Sequence, residues 1–317
     1  MQRYVVRRVA ALAATLVFVS LLVFTVVRVL PGDPALIILG LEANPDSVAR
    51  VRQELGLDRP MPVQYAQWVG RALRGDLGRS IQYDLPVSTL ILTRLTVTLP
   101  LTLLAAGLMI GAALPLGVFA ATRHRRWGDY LTMTLSQLGV AVPGFWAGLL
   151  LILFFSVHLG WVQAGGFDGW GQGVWPALRS LLMPAAALGL FQFAVLARTT
   201  RSAVLEVLRE EYVKTARAKG LAERRVLFRH ALRNALIPIV TVAGVQLGQL
   251  LAGSIILESV FYLPGLGRLT LAAISARDLP VVQGVVLFVA AGFVLVNFAV
   301  DLVYLYLDPR IRYEPSG

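Results

Sequence analysis

Along most of this 317-residue chain the apolar positions do not alternate with polar ones but run on uninterrupted. From one charged residue to the next, uncharged runs cover Val9 to Val27, Leu95 to Thr122, Tyr130 to Phe167, Ser180 to Ala197, Asn234 to Leu257 and Leu279 to Val300. The shortest has 18 residues and the longest 38. About twenty residues, at roughly 1.5 Å each, cross a hydrocarbon layer of roughly 30 Å. Each run therefore predicts one transmembrane helix, the third carrying a polar, glycine-rich exit loop as well. The expectation is an all-α integral membrane protein with six transmembrane helices, and a mean hydropathy of +0.70 agrees with it. "MQRYVVRR" ahead of the first run looks like the start of a secretory signal. That run is too long for one and lacks a small-x-small cleavage site, so residues 1–30 are expected to stay as an anchor helix.

Residues 31–94 are the longest polar region and predict a small extracytoplasmic lobe, opened by "LPGDP", whose prolines and glycine stop the first helix. Within it Asp46 is placed to cap a short helix carrying Val48, Val51 and Leu55 on one side. After "DRPMP", Val63, Ala66, Val69 and Leu73 recur at helical spacing, with Tyr65 and Trp68 near the interface. Such a lobe is either a lid on the outer ends of the spans or a docking surface. Residues 95–307 hold the remaining five spans with a polar loop at 198–233, and 308–317 form a tail. "QAGGFDGWGQGVWP", 163–176, reads as an outward loop with aromatic anchoring.

Charge orients the helices. With six spans, 18 of the 29 basic residues fall on one side against seven acids, among them Arg3, Arg7, Arg8, Arg123, Arg125, Arg126, ten between Arg198 and Arg233, and Arg310 and Arg312. The opposite loops are balanced, so the net +11 resides on one face. By the positive-inside rule that face and both termini are cytoplasmic. Attraction to anionic lipid explains part of the excess, and nucleic-acid binding is not needed.

The chain has no Cys and only three His, and it lacks a G-x-x-x-x-G-K-[ST] loop, HExxH and GxSxG. The expectation is a non-catalytic subunit that neither hydrolyses ATP nor holds a cofactor or metal. Arg28 and Asp301 sit at the edges of spans one and six, where snorkelling is the simple reading. The deeper polar residues, Gln137, Gln192, Gln246, Gln249 and Asn297, are uncharged, and Gln246 and Gln249 are candidates for facing a passage. A proton- or sodium-coupled carrier needs ionisable groups near the midplane, so energy is expected from elsewhere.

Both lysines of the chain lie in "EEYVKTARAKG", residues 210–220. Acids first, bases last and a closing glycine predict a helix over about Glu210 to Lys219 that stops at Gly220. Tyr212, Ala216 and Gly220 recur every fourth residue, and small groups there would let another protein approach. The competing reading is a basic amphipathic helix resting on lipid, against which its apolar side is small. A second helix can start near Ala222 and continue through "RRVLFRHALRN" into span five, with Pro238 as a kink or membrane entry.

"KTARAKG" followed by "RHALRNALIPIVT" resembles the cytoplasmic loop of binding-protein-dependent ABC importer permeases of the dipeptide/oligopeptide (peptide/nickel) family. Their general signature is E-A-A, three residues, then G. Here Lys214, Thr215 and Ala216 take the first three positions and Gly220 the glycine, as in the peptide branch, while Arg233 stands where the general pattern has a proline. "RVLPGDP", "ELGLDRPMPVQYAQWVGRALRGDLGRS", "VPGFWAGLLLILFF", "ESVFYLPGLGRL" and "DLVYLYLDPRIR" extend the likeness over nearly the whole chain. The resemblance implies a type I ABC importer permease in a bacterial or archaeal inner membrane. It would pair with a homologous second permease, two cytoplasmic ATP-binding subunits that carry ATP and Mg, and an extracytoplasmic substrate-binding protein. Glu211, Lys214, Thr215, Ala216, Arg217 and Gly220 would belong to a coupling helix, and Glu258, Pro264 and Gly265 would lie near the docking surface of the binding protein. Di- or oligopeptides are the implied cargo. Nickel or another small solute is the alternative within this architecture, and a secondary carrier, a channel or a membrane scaffold are the alternatives outside it.

Overall fold

The structure, a computed structural model, describes residues 2–29, 39, 44–54 and 58–307. "LPGDP", Leu55, Arg310, Arg312 and the tail 308–317 lie outside the described residues. Among those described the fold is helical, with one isolated bridge between Arg79 and Pro86. The helices are α1 (Gln2–Val29), α2 (Pro45–Glu54), α3 (Met61–Ala72), α4 (Val87–Thr122), α5 (Trp127–Ala141), α6 (Gly144–His158), α7 (Val174–Leu208), α8 (Glu211–Ala218), α9 (Glu223–Val260), α10 (Leu266–Ser275) and α11 (Leu279–Leu307). Five are long and apolar enough to cross a membrane: α1, α4, α7, α9 and α11.

The third uncharged run forms a bent pair of helices instead of one long one. α5 and α6 meet at a bend of 104°, where the sequence reading expected one span followed by an exit loop. The cause is local: Pro143 lacks an N–H and pushes Val142 into extended backbone (φ −89°, ψ 119°), after which Pro143 caps a new helix. Counted as one span, the pair brings the total to six. α4 departs in the other direction. Its 36 residues, about 54 Å, begin at Val87, ahead of Arg94, after which the reading from charge to charge had begun the run. A helix longer than the bilayer carries such a charge outside the hydrocarbon.

The described chain divides into two compact units. The larger comprises residues 97–264 and 295–307. Its centre is α7, buried along Ala177, Leu181, Ala185, Leu188, Leu196, Ala197 and Val204, with α9 as its principal neighbour and the inner part of α4 beside it. Small residues set the separation. A Cβ on Gly189 would stand 3.1 Å from the Ala105 carbonyl oxygen, and one on Gly117 would stand 2.6 Å from Thr200 Cβ. Where lipid is as apolar as leucine, such close backbone approach replaces the hydrophobic effect as the force joining helices. Asp301 is 3% exposed within this unit, so it is buried and does not snorkel as expected.

The smaller unit comprises the described residues up to 96 and residues 265–294. Val87, Ile91, Leu266, Leu269, Ala273, Val281 and Val285 form its core. α2 is capped by Asn44 and not by Asp46: Asn44 Oδ1 accepts the Ser47 N–H at 2.8 Å, and Pro45 at the first helical position needs no N–H partner. α3 turns Tyr65 and Trp68 onto Phe24 of α1, with ring centroids 5.5 and 6.0 Å away, and Tyr65 hydrogen-bonds Ser20 at 2.7 Å. Val63 and Leu73, the face picked out by spacing, are exposed. Aromatic area with a hydroxyl partner outweighed the aliphatic stripe. Arg28, at the end of α1, lies over the Phe24 ring at 5.3 Å.

Candidate functional site

α8 runs from Glu211 to Ala218, one residue shorter at each end than its sequence predicts. Glu210 in extended backbone begins it, and Gly220 (φ +76°) ends it. Gly220 N–H donates to the Arg217 carbonyl at 2.9 Å and Leu221 N–H to the Ala216 carbonyl at 3.4 Å, the paired bonds of a Schellman cap with Leu221 folded over Ala216. A Cβ at Gly220 meets nothing within 4 Å. Its glycine is required by the left-handed backbone and not by space.

The buried side of α8 is Val213 and Ala216, packed on Val226 at the start of α9, with Val207, Leu208 and Leu221 around them. Ala216 is 7% exposed. Its smallness thus admits α8 to its own protein, where the every-fourth-residue reading had turned it toward a partner. Tyr212, Lys214, Thr215, Arg217, Ala218 and Lys219 face outward.

Polar contacts then hold the helix at a set angle. Arg217 grips Glu223 with two bonds, Nη2 to Oε1 at 2.6 Å and Nε to Oε2 at 3.0 Å. The hydrogen bond to the Glu223 carboxylate raises the Arg217 pKa, as a charge-assisted pair does. Asn234 on α9 donates to the Tyr212 hydroxyl at 2.7 Å, and Lys214 pairs with Glu211. α9 starts after Ala222 as expected, widens into a π-helical stretch over Val226–Ala231, and continues through Pro238 to Val260. α8 is therefore joined to one end of a helix 38 residues long.

A second cluster lies beside this handle. Asp129 on α5 is 3% exposed and accepts from Arg201 on α7, Nε to Oδ1 and Nη2 to Oδ2, the latter at 2.7 Å. It also takes the Arg125 N–H at 2.9 Å, holding that residue at φ +61°, and His124 Nδ1 lies 3.2 Å away. A cleft of about 520 Å³ opens from His124 and Arg201 to Glu206, Arg209 and Glu211 at the root of α8. Sequence reasoning missed this pair. The only signal was a single carboxylate at the head of an apolar run, and its partner lies 72 residues on.

The remaining candidates separate. Gln246 is 5% exposed and its Oε1 has no partner, whereas Gln249 is exposed. Gln192 on α7 shares the condition of Gln246, buried with an unpartnered Oε1. Glu258 is fully buried and accepts from Thr98 Oγ1 at 2.6 Å, so it does not lie on an outer surface. Pro264 is half-buried and Gly265 is buried at the start of α10. Exposed in that segment are Ser259 and Tyr262, the latter at 67% and φ +55°.

Comparison with known proteins places this geometry. The family described as binding-protein-dependent transport system inner membrane component matches residues 113–313, and a family describing the N-terminal part of such membrane components matches residues 1–102. A protein of Brucella abortus (strain 2308), assigned by name to a peptide transport system as its permease, is 46% identical over 314 residues, covering 99% of this chain and 100% of the relative. The glutathione transport system permease protein GsiC of Salmonella typhimurium (strain LT2) is 43% identical with the same coverage. A solved inward-facing conformation of the MetNI methionine ABC transporter aligns with a TM-score of 0.58 at 19% identity, over 69% of this chain and 96% of that one. At that identity the likeness is one of fold.

Proposed function

The chain belongs to the family of binding-protein-dependent transport system inner membrane components, and from that premise we propose that it is the permease subunit of an ATP-driven importer of di- and oligopeptides. The observation that carries the coupling part is α8 itself, an exposed helix capped at Gly220, clamped by Arg217 to Glu223 and continuous through α9 with the apolar core. A force on Tyr212, Thr215 and Lys219 would pass into α9 without being absorbed at the joint. The partner that applies it is an ATP-binding subunit, ATP and Mg being held there. Two such subunits, a homologous second permease and an extracytoplasmic binding protein complete the transporter, and both termini of this chain lie in the cytoplasm. Gln249 faces the passage, and Tyr262 stands near the docking surface of the binding protein. Peptide cargo is supported by relatives named for peptide and for glutathione transport.

The test is reconstitution of the chain with these partners in proteoliposomes, reading ATP hydrolysis and uptake of labelled peptide with and without loaded binding protein. ATP-dependent peptide uptake is expected. Uptake that persists without the ATP-binding subunits, or uptake of nickel in place of peptide, overturns the reading.

A further inference from the structure

At the far ends of α7 and α9 from α8 lies a second cleft, of about 330 Å³, within the range of small-ligand sites. The turn Gly160 to Asp168 lines one side and the first turns of α7 the other. Its floor is backbone. Gly166 N–H donates to the Phe261 carbonyl at 2.8 Å, and a Cβ on Gly165 would stand 2.5 Å from that same oxygen, so only glycine lets the turn seat there. Two charges of opposite sign enter the cleft, Asp168 and Arg179. They form no ion pair with each other, and Arg179 commits one Nη2 bond to the Trp161 carbonyl at 2.8 Å, which aims the guanidinium and leaves its other donors open.

We propose that this cleft receives the two charged ends of a zwitterionic peptide, the carboxylate on Arg179 and the ammonium on Asp168, as cargo enters the permease. The inference rests on the peptide-importer reading above. Charge of both signs held apart in one small cleft matches the feature all free peptides share whatever their side chains, so the cleft would accept peptides without reading sequence. A guanidinium with open donors offers a carboxylate paired bonds, and a carboxylate gives an ammonium its counter-charge. The position also has a consequence for coupling. Phe261, on which the glycine turn is hooked, caps α9, whose opposite end carries α8. Occupancy of the cleft would thus bear on the helix that the ATP-binding subunits move.

The experiment uses the whole transporter, both permeases and both ATP-binding subunits, in nanodiscs without binding protein. Saturation-transfer NMR reads dissociation constants for dialanine, N-acetyl-dialanine and dialanine amide. The wild type is expected to bind dialanine about tenfold more tightly than either capped form, the scale of one charge-assisted contact. Arg179→Gln should weaken dialanine about tenfold and leave the amide unchanged, while Asp168→Asn should weaken dialanine and leave the N-acetyl form unchanged. An unaltered thermal unfolding midpoint in both variants checks that they are folded. Undetectable binding by the wild type, equal binding by the variants, or equal loss for free and capped peptides overturns the proposal. So does loss confined to stimulation by loaded binding protein, which would make the cleft a protein-docking contact. If wild-type proteoliposomes take up no peptide, the importer reading fails. If they do and dialanine binding is unaltered in both variants, only the cleft is refuted.

Discussion

The handle at α8 and the seam between α7 and α9 are built on opposite plans. In the handle the carbonyls of Ala216 and Arg217 are taken by the Schellman cap, Arg217 is clamped to Glu223, and Asn234 meets Tyr212. In the seam the packing is close and mostly apolar, yet Gln192 and Gln246 each bury an oxygen that accepts nothing. The difference teaches where rigidity is needed. A helix that receives a push must not yield at its joint, so each contact there is specific and directional. A helix pair inside the bilayer is held by contact between small surfaces, which many neighbouring arrangements satisfy almost equally well. A polar side chain without a partner there costs stability without fixing an orientation.

The sharpest way to break the contrast is to remove the charge that anchors the handle end of α5 and α7. Asp129→Asn leaves the Arg201 guanidinium largely buried without its carboxylate and should cost about 3 kcal/mol, read as a fall in the thermal unfolding midpoint of the detergent-solubilised protein. Arg201→Met added to that variant should recover most of the loss. Ala216→Leu forces a larger side chain against Val226, with an expected cost of about 1–3 kcal/mol. Because α8 would be lifted off α9, stimulated ATP hydrolysis should fall even at temperatures where the protein stays folded. Unchanged stimulation would mean that the seating of α8 does not matter to coupling. Gly220→Ala keeps every contact but strains the left-handed backbone by about 1 kcal/mol, so a modest stability loss is expected, and none at all would remove the cap from the account. Arg217→Gln opens a pair that is about half in solvent. Its stability cost should stay below about 1 kcal/mol after screening, while the coupling ratio of hydrolysis to uptake should worsen. At the seam the sign reverses. Gln246→Leu removes a buried acceptor that has no donor and should leave stability unchanged or raise it by up to about 1 kcal/mol, measured as the same unfolding midpoint.

Much of the fold was legible because it is local. The spans follow from run length, the stop of α8 from Gly220, and the start of α9 from the residues after it. The break at Val142 was also written locally, in the proline that follows it, but an uninterrupted apolar run concealed it. Two expectations about direction failed for one reason. Ala216 was turned outward by its spacing and Glu258 by the resemblance, and both are buried against their own chain. Glu258 ends an uncharged run, which hints at burial, but its partner Thr98 lies 160 residues away and cannot be found by spacing. The same holds for Asp129 with Arg201, and for Asp278, which is 1% exposed and accepts from Ser80 across 198 residues.

The sequence alone determined where the long apolar runs lie, where α8 stops, and which loop collects the positive charge. These depend on backbone chemistry and on transfer from water to lipid, and each residue contributes independently of its distant neighbours. Only the tertiary structure decided which face of each helix turns inward and which polar groups meet. In a soluble protein hydropathy separates inside from outside. Here lipid and protein interior are equally apolar, so that contrast vanishes, and the choice falls to close packing at residues such as Gly117 and Gly189 and to hydrogen bonds between residues far apart in the chain.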